Sequence, residues 1–337
     1  MSLIDIFSRL QENKHLLKHE LLVQGVIEAI DHGVLKQGDQ LPSINTMVHD
    51  LGYARKTIVK AYESLKDRGL VESKKLKGYF IVSEETHVTL RIALLLFAFQ
   101  RYQEEFYNSF RSELGKRFRI DVFFHHNNIT VFETIFRNIQ GKYGKYVIAP
   151  IQDPRVSGLL EGIPSEKLLV VDRYVPMPGA YSFITQEFHE NTYKSLLCLV
   201  PEIQRFEDYV LFFNGSREIP PDLINAFTRF FSDYGLKGAI REKYDPGTLQ
   251  QNTLYICITD SDLWEVIKEC RHHNYTPGKD LGILSFDDHV VKEIVLGGIT
   301  TISTDFKQMG RMAAEQIKLG EKKQVILPVN LYKRESL

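Results

Sequence analysis

The sequence predicts a mainly α/β chain, with a short amino-terminal module of helices closed by a β-hairpin ahead of a longer body. Three observations lead there. Residues 41–79, LPSINTMVHDLGYARKTIVKAYESLKDRGLVESKKLKGY, carry the spacing of a helix, a turn, a second helix and a basic hairpin. From about residue 88, apolar runs of strand length alternate with helical stretches. No run reaches the roughly 18 apolar residues of a membrane span; the longest, 92–99, has the length of a strand.

At 337 residues, the chain can hold two or three domains with proper cores. Its 43% hydrophobic and 25% charged residues are those of an ordinary globular protein rather than a disordered one. The amino terminus carries Asp5 and Glu12 and no basic-then-apolar leader, which argues against export. Cys198, Cys257 and Cys270 are scattered without a C-x-x-C pair. A disulfide framework or cysteine zinc site is therefore not expected, and a cytoplasmic location is. Net charge is −1, but its distribution is uneven. Residues 1–52 hold four Lys/Arg against seven Asp/Glu, whereas 53–79 hold eight against three. A charge run is most often a solvated face; here it coincides with the helix and hairpin that have the pattern of a DNA reader.

In chain order, 14–31 has apolar residues at helical spacing (Leu17, Leu21, Leu22, Ile27, Ile30), with Gly33 as a stop. Leu41-Pro42-Ser43 leads into a short second helix, with Ser43 as N-cap, ending near Gly52. A third helix spans 54–67. Its Ile58, Ala61, Tyr62 and Leu65 form the inward face, while Arg55, Lys56, Val59 and Lys60 point elsewhere. Basic residues near the start of such a helix can reach base edges in a major groove. Residues 70–73 and 79–82 read as strands joined by Lys74-Lys75-Leu76-Lys77-Gly78, a wing whose Lys75 and Lys77 would meet phosphate.

These residues carry a resemblance. G-x-L-x-x-G-D-x-L-P-S, then R-x-T-I-x-x-A-Y-x-x-L-x-x-R-G-L-V, then K-G-Y-F-I-V, over about 13–82, resemble the GntR family of bacterial transcription regulators. The resemblance implies a winged helix-turn-helix that binds palindromic double-stranded operator DNA as a homodimer. It places Ser43, Arg55, Thr57 and Gly78 at the DNA; Lys56, Lys60, Lys75 and Lys77 join them on charge. Ala54 stands where the family usually has Ser, and Val59 where it often has Arg.

Residues 83–87 (SEETH) form a polar linker between a domain at 1–82 and one at 88–337. In the latter, strands are expected at 90–97, 120–124, 146–149, 168–171, 209–213, 254–258, 282–286 and 325–329. Helices are expected at 104–116, 130–140, 191–199, 221–232, 261–272 and 306–319. Such alternation implies parallel sheets covered on both faces, as one large sheet or two lobes, with ligands outside the carboxyl ends of the strands. Four expected strands end in Phe97-Ala98-Phe99-Gln100-Arg101-Tyr102, Val171-Asp172-Arg173-Tyr174, Cys257-Ile258-Thr259-Asp260 and Ser285-Phe286-Asp287-Asp288. Carboxylates and arginine hydrogen-bond sugar hydroxyls, and aromatic faces pack on sugar C–H surfaces. The plainer alternative is that the aspartates cap helices.

L-G-I-L-S-F-D-D, G-G-I-T-T-I-S-T-D-F-K-Q-M-G-R-M-A-A, I-L-P-V-N-L-Y-K-R-E-S and L-L-V-V-D-R-Y-V-P are similar to LacI-family effector domains, over about 88–335. The resemblance implies a two-lobed, type I periplasmic-binding-protein-like α/β domain closing on a monosaccharide-like ligand. Lobe 1 is expected at about 88–200 and 290–320, lobe 2 at about 201–289 and 321–337. By motif, Asp172 and Arg173 fall on the sugar-clamping pair, Asp287 on the sugar-binding aspartate, and Phe99 near the stacking aromatic. Arg101, Tyr102, Thr259 and Asp260 complete the expected ligand set. Thr259-Asp260 replaces the usual N-D, Gln186-Glu187 the usual D-N, and Gly298-Ile299 the usual Pro before T-T.

Other chemistry is set aside. His15 and His19 have an i, i+4 spacing but no third metal ligand; the pairs His125-His126 and His272-His273 read as surface. Trp264 reads as core rather than pocket. There is no G-x-G-x-x-G, Walker loop or G-x-S-x-G, and no cofactor or metal is expected. The expectation is a sugar-responsive repressor of a carbohydrate-utilisation operon, not an enzyme. One arginine among several carboxylates suits a pentose or deoxyhexose better than a sugar phosphate. The alternatives are a sugar-acting enzyme, a GntR protein with an aminotransferase-like domain, for which the remaining chain is short and no cofactor lysine motif is evident, and an exported binding protein, which the missing leader and the DNA module disfavour.

Overall fold

The computed structural model describes residues 3–10, 17–215 and 219–337. The head is α1 (Leu3–Leu10), α2 (Lys18–Asp31), α3 (Ile44–Leu51) and α4 (Arg55–Asp67), followed by the hairpin β1 (Val71–Lys74) and β2 (Gly78–Ile81). Ser43 caps α3: its hydroxyl accepts the Thr46 N–H at 3.1 Å. The inward face of α4 is the expected one, with Ile58, Ala61, Tyr62 and Leu65 all buried. The buried Tyr62 ring ends in a hydroxyl that donates to the Pro42 carbonyl at 2.7 Å, locking α4 to the entry of α3. The sequence reading does not anticipate α1, whose Ile6 and Phe7 are buried in the head core. Of the expected first helix, residues 14–16 lie outside the described residues, as does His15 of the histidine pair.

The remainder forms two six-stranded sheets. Lobe 1 holds β3 (Leu90–Leu96), β4 (Phe118–Phe124), β5 (Lys145–Ile148), β6 (Leu168–Asp172) and β7 (Ser182–Gln186), interleaved with α5 (Arg101–Leu114), α6 (Ile129–Ile139) and α7 (Pro154–Leu160). The chain then passes to lobe 2 through α8 (His189–Leu197) and α9 (Val200–Ile203). Lobe 2 contains β8 (Asp208–Phe212), α10 (Pro221–Asp233), β9 (Gly238–Arg241), β10 (Thr253–Cys257), α11 (Asp260–His273), β11 (Gly282–Phe286), α12 (Val290–Ile294) and β12 (Thr300–Thr304). Next come α13 (Phe306–Leu319), β13 (Gln324–Leu327) and β14 (Val329–Tyr332). Lobe 1 has the order β13-β7-β6-β5-β3-β4 and lobe 2 the order β14-β12-β11-β10-β8-β9. Each therefore repeats one winding pattern, with its first strand between its second and third, the arrangement that opens a crevice at the carboxyl ends.

Three differences from the sequence expectation have physical reasons. Residues 325–329 are not one strand: Pro328 interrupts them, β13 joins β7 in lobe 1, and β14 joins β12 antiparallel in lobe 2. The expected division of 290–337 changes accordingly. α12 and β12 belong to lobe 2, α13 and β13 to lobe 1, and the tail from β14 onward to lobe 2. His125 is not on the surface. It is 2% exposed, its Nε2 lies 2.9 Å from the Ala149 carbonyl, and burial pushes its pKa down to about 4. His126, His272 and His273 are exposed, and Trp264 is half-buried against the lobe 2 core.

The head packs directly on lobe 1, at the edge where its strands begin. Asp67, the last residue of α4, pairs with Lys167 at 2.6 Å, just before β6. Gly144, just before β5, leaves no room for a side chain. A Cβ there would lie 2.8 Å from the Asp67 carbonyl oxygen and 2.5 Å from a Leu90 methyl. The linker is tied on both sides: Thr86 donates to Asp31 at 2.6 Å, and Glu85 pairs with Arg119 of β4.

Candidate functional site

Two regions gather the chemistry-bearing residues singled out by sequence. The first is one face of the head. Arg55, Lys56 and Lys60 are exposed along α4, with Thr57 half-buried among them. Arg55 is braced by α3 through a 2.6 Å bond from its Nη1 to Asn45 Oδ1. In the hairpin, Lys74 pairs with Gly78, leaving exposed Lys75, Leu76 and Lys77 as the tip. Gly78 has φ +97, a left-handed value that a side chain would strain. The hairpin is tied back to the head by Gln40, whose Nε2 donates to the Lys77 carbonyl at 2.6 Å. Lys74 lies over the Phe80 ring at 4.7 Å. Ser43 is exposed, and its hydroxyl is already engaged as the α3 cap. Leu76 is fully exposed at φ +59; nothing in the sequence reading singles it out.

The second is a cleft of about 500 Å³ at the carboxyl ends of both sheets. Its lobe 1 wall includes Phe97, Arg101, Tyr102, Asp172, Arg173 and Gln186; its lobe 2 wall includes Ile258, Thr259, Asp260, Phe286, Asp287 and His289. Seven of the eight expected ligand residues are thus brought together. Phe99 is the exception. It is 57% exposed and packs on Tyr107 and Phe124, outside the cleft. The reason is the turn between β3 and α5, fixed by the buried Gln103 accepting the Ala98 N–H at 3.0 Å. Phe97, two residues earlier, supplies the aromatic instead. Tyr102 stacks at a tilt on Phe306, 4.8 Å between centroids, which extends the apolar side of the cleft.

The aspartates differ in state. Asp172 ends β6 at φ +69 and Asp287 follows β11 at φ +56, a backbone region that Asp tolerates better than most residues. Burial raises the Asp172 carboxyl above its ordinary range, against the opposing pull of Arg173 and a hydrogen bond from Gln186. Burial pushes Asp287 up to about 6, and the neighbouring Asp172 and Asp260 add to the effect. Asp260 behaves oppositely. Burial would raise it, but His289 and Lys292 outweigh burial and hold it below the usual carboxylate range. The next aspartate, Asp288, turns away from the cleft and forms a two-pronged pair with Arg334 at 2.7 and 2.8 Å. Thr259 caps α11, accepting the Asp262 N–H at 3.4 Å, so it serves both the helix and the cleft wall. Glu187 accepts the N–H groups of His189, Glu190 and Asn191, which leaves it a helix-capping role. Gln186 bridges the lobes: it donates to Asp172 and accepts from Thr304 of β12 at 2.7 Å. The sequence reading missed His289 and Lys292, since neither belongs to a recognisable motif. Among the described residues, no group of three His, Cys, Asp or Glu could hold a metal ion.

Comparison with known proteins follows the same division. Residues 19–81 match the family described as bacterial regulatory proteins, gntR family, and residues 215–337 match the periplasmic binding protein-like domain. The HTH-type transcriptional repressor YtrA of Bacillus subtilis (strain 168) is 32% identical over 72 residues, 21% of this chain. The chain spans about half the length of that relative, 55%. Among solved structures, a LacI family transcriptional regulator from Lactobacillus casei with bound glucose covers 73% of this chain and 99% of its own, at 17% identity and TM-score 0.61. The LacI family transcriptional regulator CCPA from Weissella paramesenteroides with bound sucrose covers 73% and 98%, at 16% identity and TM-score 0.59. A dimeric Lac repressor with a C-terminal deletion covers 73% and 98%, at 15% identity and TM-score 0.61. At these identities, the likeness is one of fold.

Proposed function

We propose that this chain, in which a GntR-type winged helix-turn-helix precedes a periplasmic-binding-protein-like domain with the fold of LacI regulators, is a ligand-responsive transcription regulator and not an enzyme. The observation that carries the reading is the pairing, in one chain, of a head with a basic exposed face and a two-walled cleft. The cleft lies at the strand ends, on the far side of lobe 1 from the edge that carries the head. Its volume falls within the roughly 300–1,000 Å³ of small-molecule sites. Carboxylates, the two arginines Arg101 and Arg173 and aromatic rings suit a neutral polyhydroxylated ligand. A pentose or deoxyhexose fits that chemistry better than a sugar phosphate, for which several carboxylates are a poor match. The glucose and sucrose in the two regulators named above support a carbohydrate.

In this reading, Arg55, Lys56, Thr57 and Lys60 face the major groove. Lys75, Lys77 and Gly78 bring the wing to phosphate, and Ser43 orients α3 at the backbone. The protein acts as a homodimer on a palindromic operator in the cytoplasm, repressing a carbohydrate-utilisation operon until sugar binds. Asp172, Arg173, Asp260 and Asp287 hold the sugar's hydroxyls, with Arg101, Tyr102 and Thr259 lining the cleft around them. Closure of the lobes on the sugar changes the disposition of the heads, with a coupling of roughly 1–3 kcal/mol.

The test is a thermal-shift screen across monosaccharides, since a ligand of the folded state raises the melting temperature by mass action. Operator titrations with and without the best sugar follow. Asp172→Ala and Asp287→Ala are expected to abolish the sugar response while leaving sugar-free operator affinity unchanged; a response surviving both would refute the cleft as the effector site.

A further inference from the structure

Lys292 of α12 is fully buried. Its ammonium donates to the carbonyl oxygens of Phe286 and Asp287, the latter at 3.1 Å, and pairs with Asp260 Oδ1 at 2.6 Å. Three acceptors match its three N–H groups. His289 Nε2 meets the other Asp260 oxygen at 3.1 Å, while its own Nδ1 is buried with no hydrogen-bond partner among the described residues. Lys292 thus ties the end of β10 to the end of β11, and it engages the carbonyl of Asp287 where the backbone is left-handed. It does not itself line the cleft.

Only the lysine of this pair is buried, Asp260 being 43% exposed at the cleft, and burying an ammonium is a poor device for stability alone, because an apolar side chain of similar volume often serves as well or better. The geometry here has a different product: two aspartates on one wall, Asp260 held by its carboxylate and Asp287 by its backbone carbonyl. We infer that Lys292 is a positioning residue of the cleft, holding Asp260 and the Asp287 backbone as a fixed pair of acceptors that selects ligands presenting adjacent hydrogen-bond donors, the vicinal hydroxyls of a neutral polyol. This rests on the effector reading of the cleft. The charged and titratable groups facing Asp260 are Lys292 and His289 beside it, Asp287 at the end of β11 and Cys257 at the end of β10; Asp172 and Arg173 bear on Asp287 from lobe 1. Lys292 and His289 keep Asp260 ionised, so an anionic ligand group is repelled from this wall.

The test is a double-mutant cycle with Lys292→Met and Asp260→Asn, read by calorimetric titration with D-xylose, D-ribose, L-arabinose, L-rhamnose and L-fucose. Each single change should weaken the best sugar on the order of 10- to 100-fold. The double variant should lose clearly less than the product of the two single losses, because Lys292 acts in large part through Asp260 and otherwise through the Asp287 backbone. Losses that multiply, or wild-type affinity in Lys292→Met, overturn the inference. Should Lys292→Met fail to fold, Lys292→Gln, which keeps an N–H donor for the two carbonyls, takes its place in the cycle with the same outcomes. If the wild type binds none of these sugars, it is the carbohydrate reading that fails. Lys292 is then judged on the ligand-free protein by the carboxyl NMR titration of Asp260. A rise in its midpoint in Lys292→Met or Lys292→Gln supports the inference, and an unchanged midpoint overturns it.

Discussion

Asp287 illustrates how much one side chain's surroundings decide. Its carboxyl, pushed up to about 6 chiefly by burial, lies above the roughly 3.9 of an unfolded chain. Between those values, the folded state holds more protons than the unfolded one, so the stability that protonated Asp287 contributes is full below about pH 4 and lost as pH rises through 6. Asp287→Asn keeps the shape, tolerates the left-handed backbone and carries no charge. The ligand-free variant should therefore be more stable than wild type at pH 7.5, by about 1–3 kcal/mol. The advantage should vanish near pH 4 in thermal melts; an advantage independent of pH would contradict it. Sequence alone could place Asp287 at a strand end. It could not reveal that Asp288 next door would instead be taken by Arg334, nor that Phe97 rather than Phe99 faces the cleft. Both outcomes depend on the turn that follows the strand, and alternation along a strand stops being informative where the strand stops.

At the scale of elements, the legible parts were those with strong local patterns. The α4 face, the capped α3 and the basic hairpin follow from apolar spacing, Ser43 and the Lys-rich turn. The strands missed were β7, β9 and β12. β9 is short and wholly exposed, and β12 reads Thr-Thr-Ile-Ser-Thr, which looks polar. It is buried throughout because its hydroxyls find partners: Thr300 with the Arg334 carbonyl, Thr301 with Asp288, Thr304 with Gln186. A hydrophobicity pattern cannot see hydrogen bonds made tens of residues away. The hairpin carries its own prediction. Lys75 and Lys77 flank a fully exposed tip and have no ion-pair partner among the described residues. Removing either should lower the magnitude of the slope of log affinity against log salt by about 2, one phosphate contact in each subunit of the dimer, and weaken binding evenly across operator sequences. An unchanged slope would remove the wing from the DNA.

At the scale of the whole molecule, the contact between α4 and the starting edge of the lobe 1 sheet makes the head a passenger of that lobe. Gly144→Val would push against the Asp67 carbonyl and part the two bodies. Because the cleft lies at the opposite ends of the strands, sugar affinity should stay as in wild type and operator affinity within a few-fold. The change in operator affinity caused by sugar should fall from the roughly 1–3 kcal/mol of typical coupling towards zero. Paired titrations with and without sugar check this, and a preserved sugar effect would mean the signal travels by another route. The crossing at Pro328 has a separate consequence, one of timing. Each sheet takes an outer strand, β13 or β14, from residues 324–332, more than a hundred residues after its first strand, whereas the head's core closes between Ile6 and Ile81. During synthesis the head can complete itself on local contacts while both lobes wait, each with an open edge, for β13 and β14 to leave the ribosome. The head, on the proposed reading the part that meets DNA, is thus folded before the cleft exists.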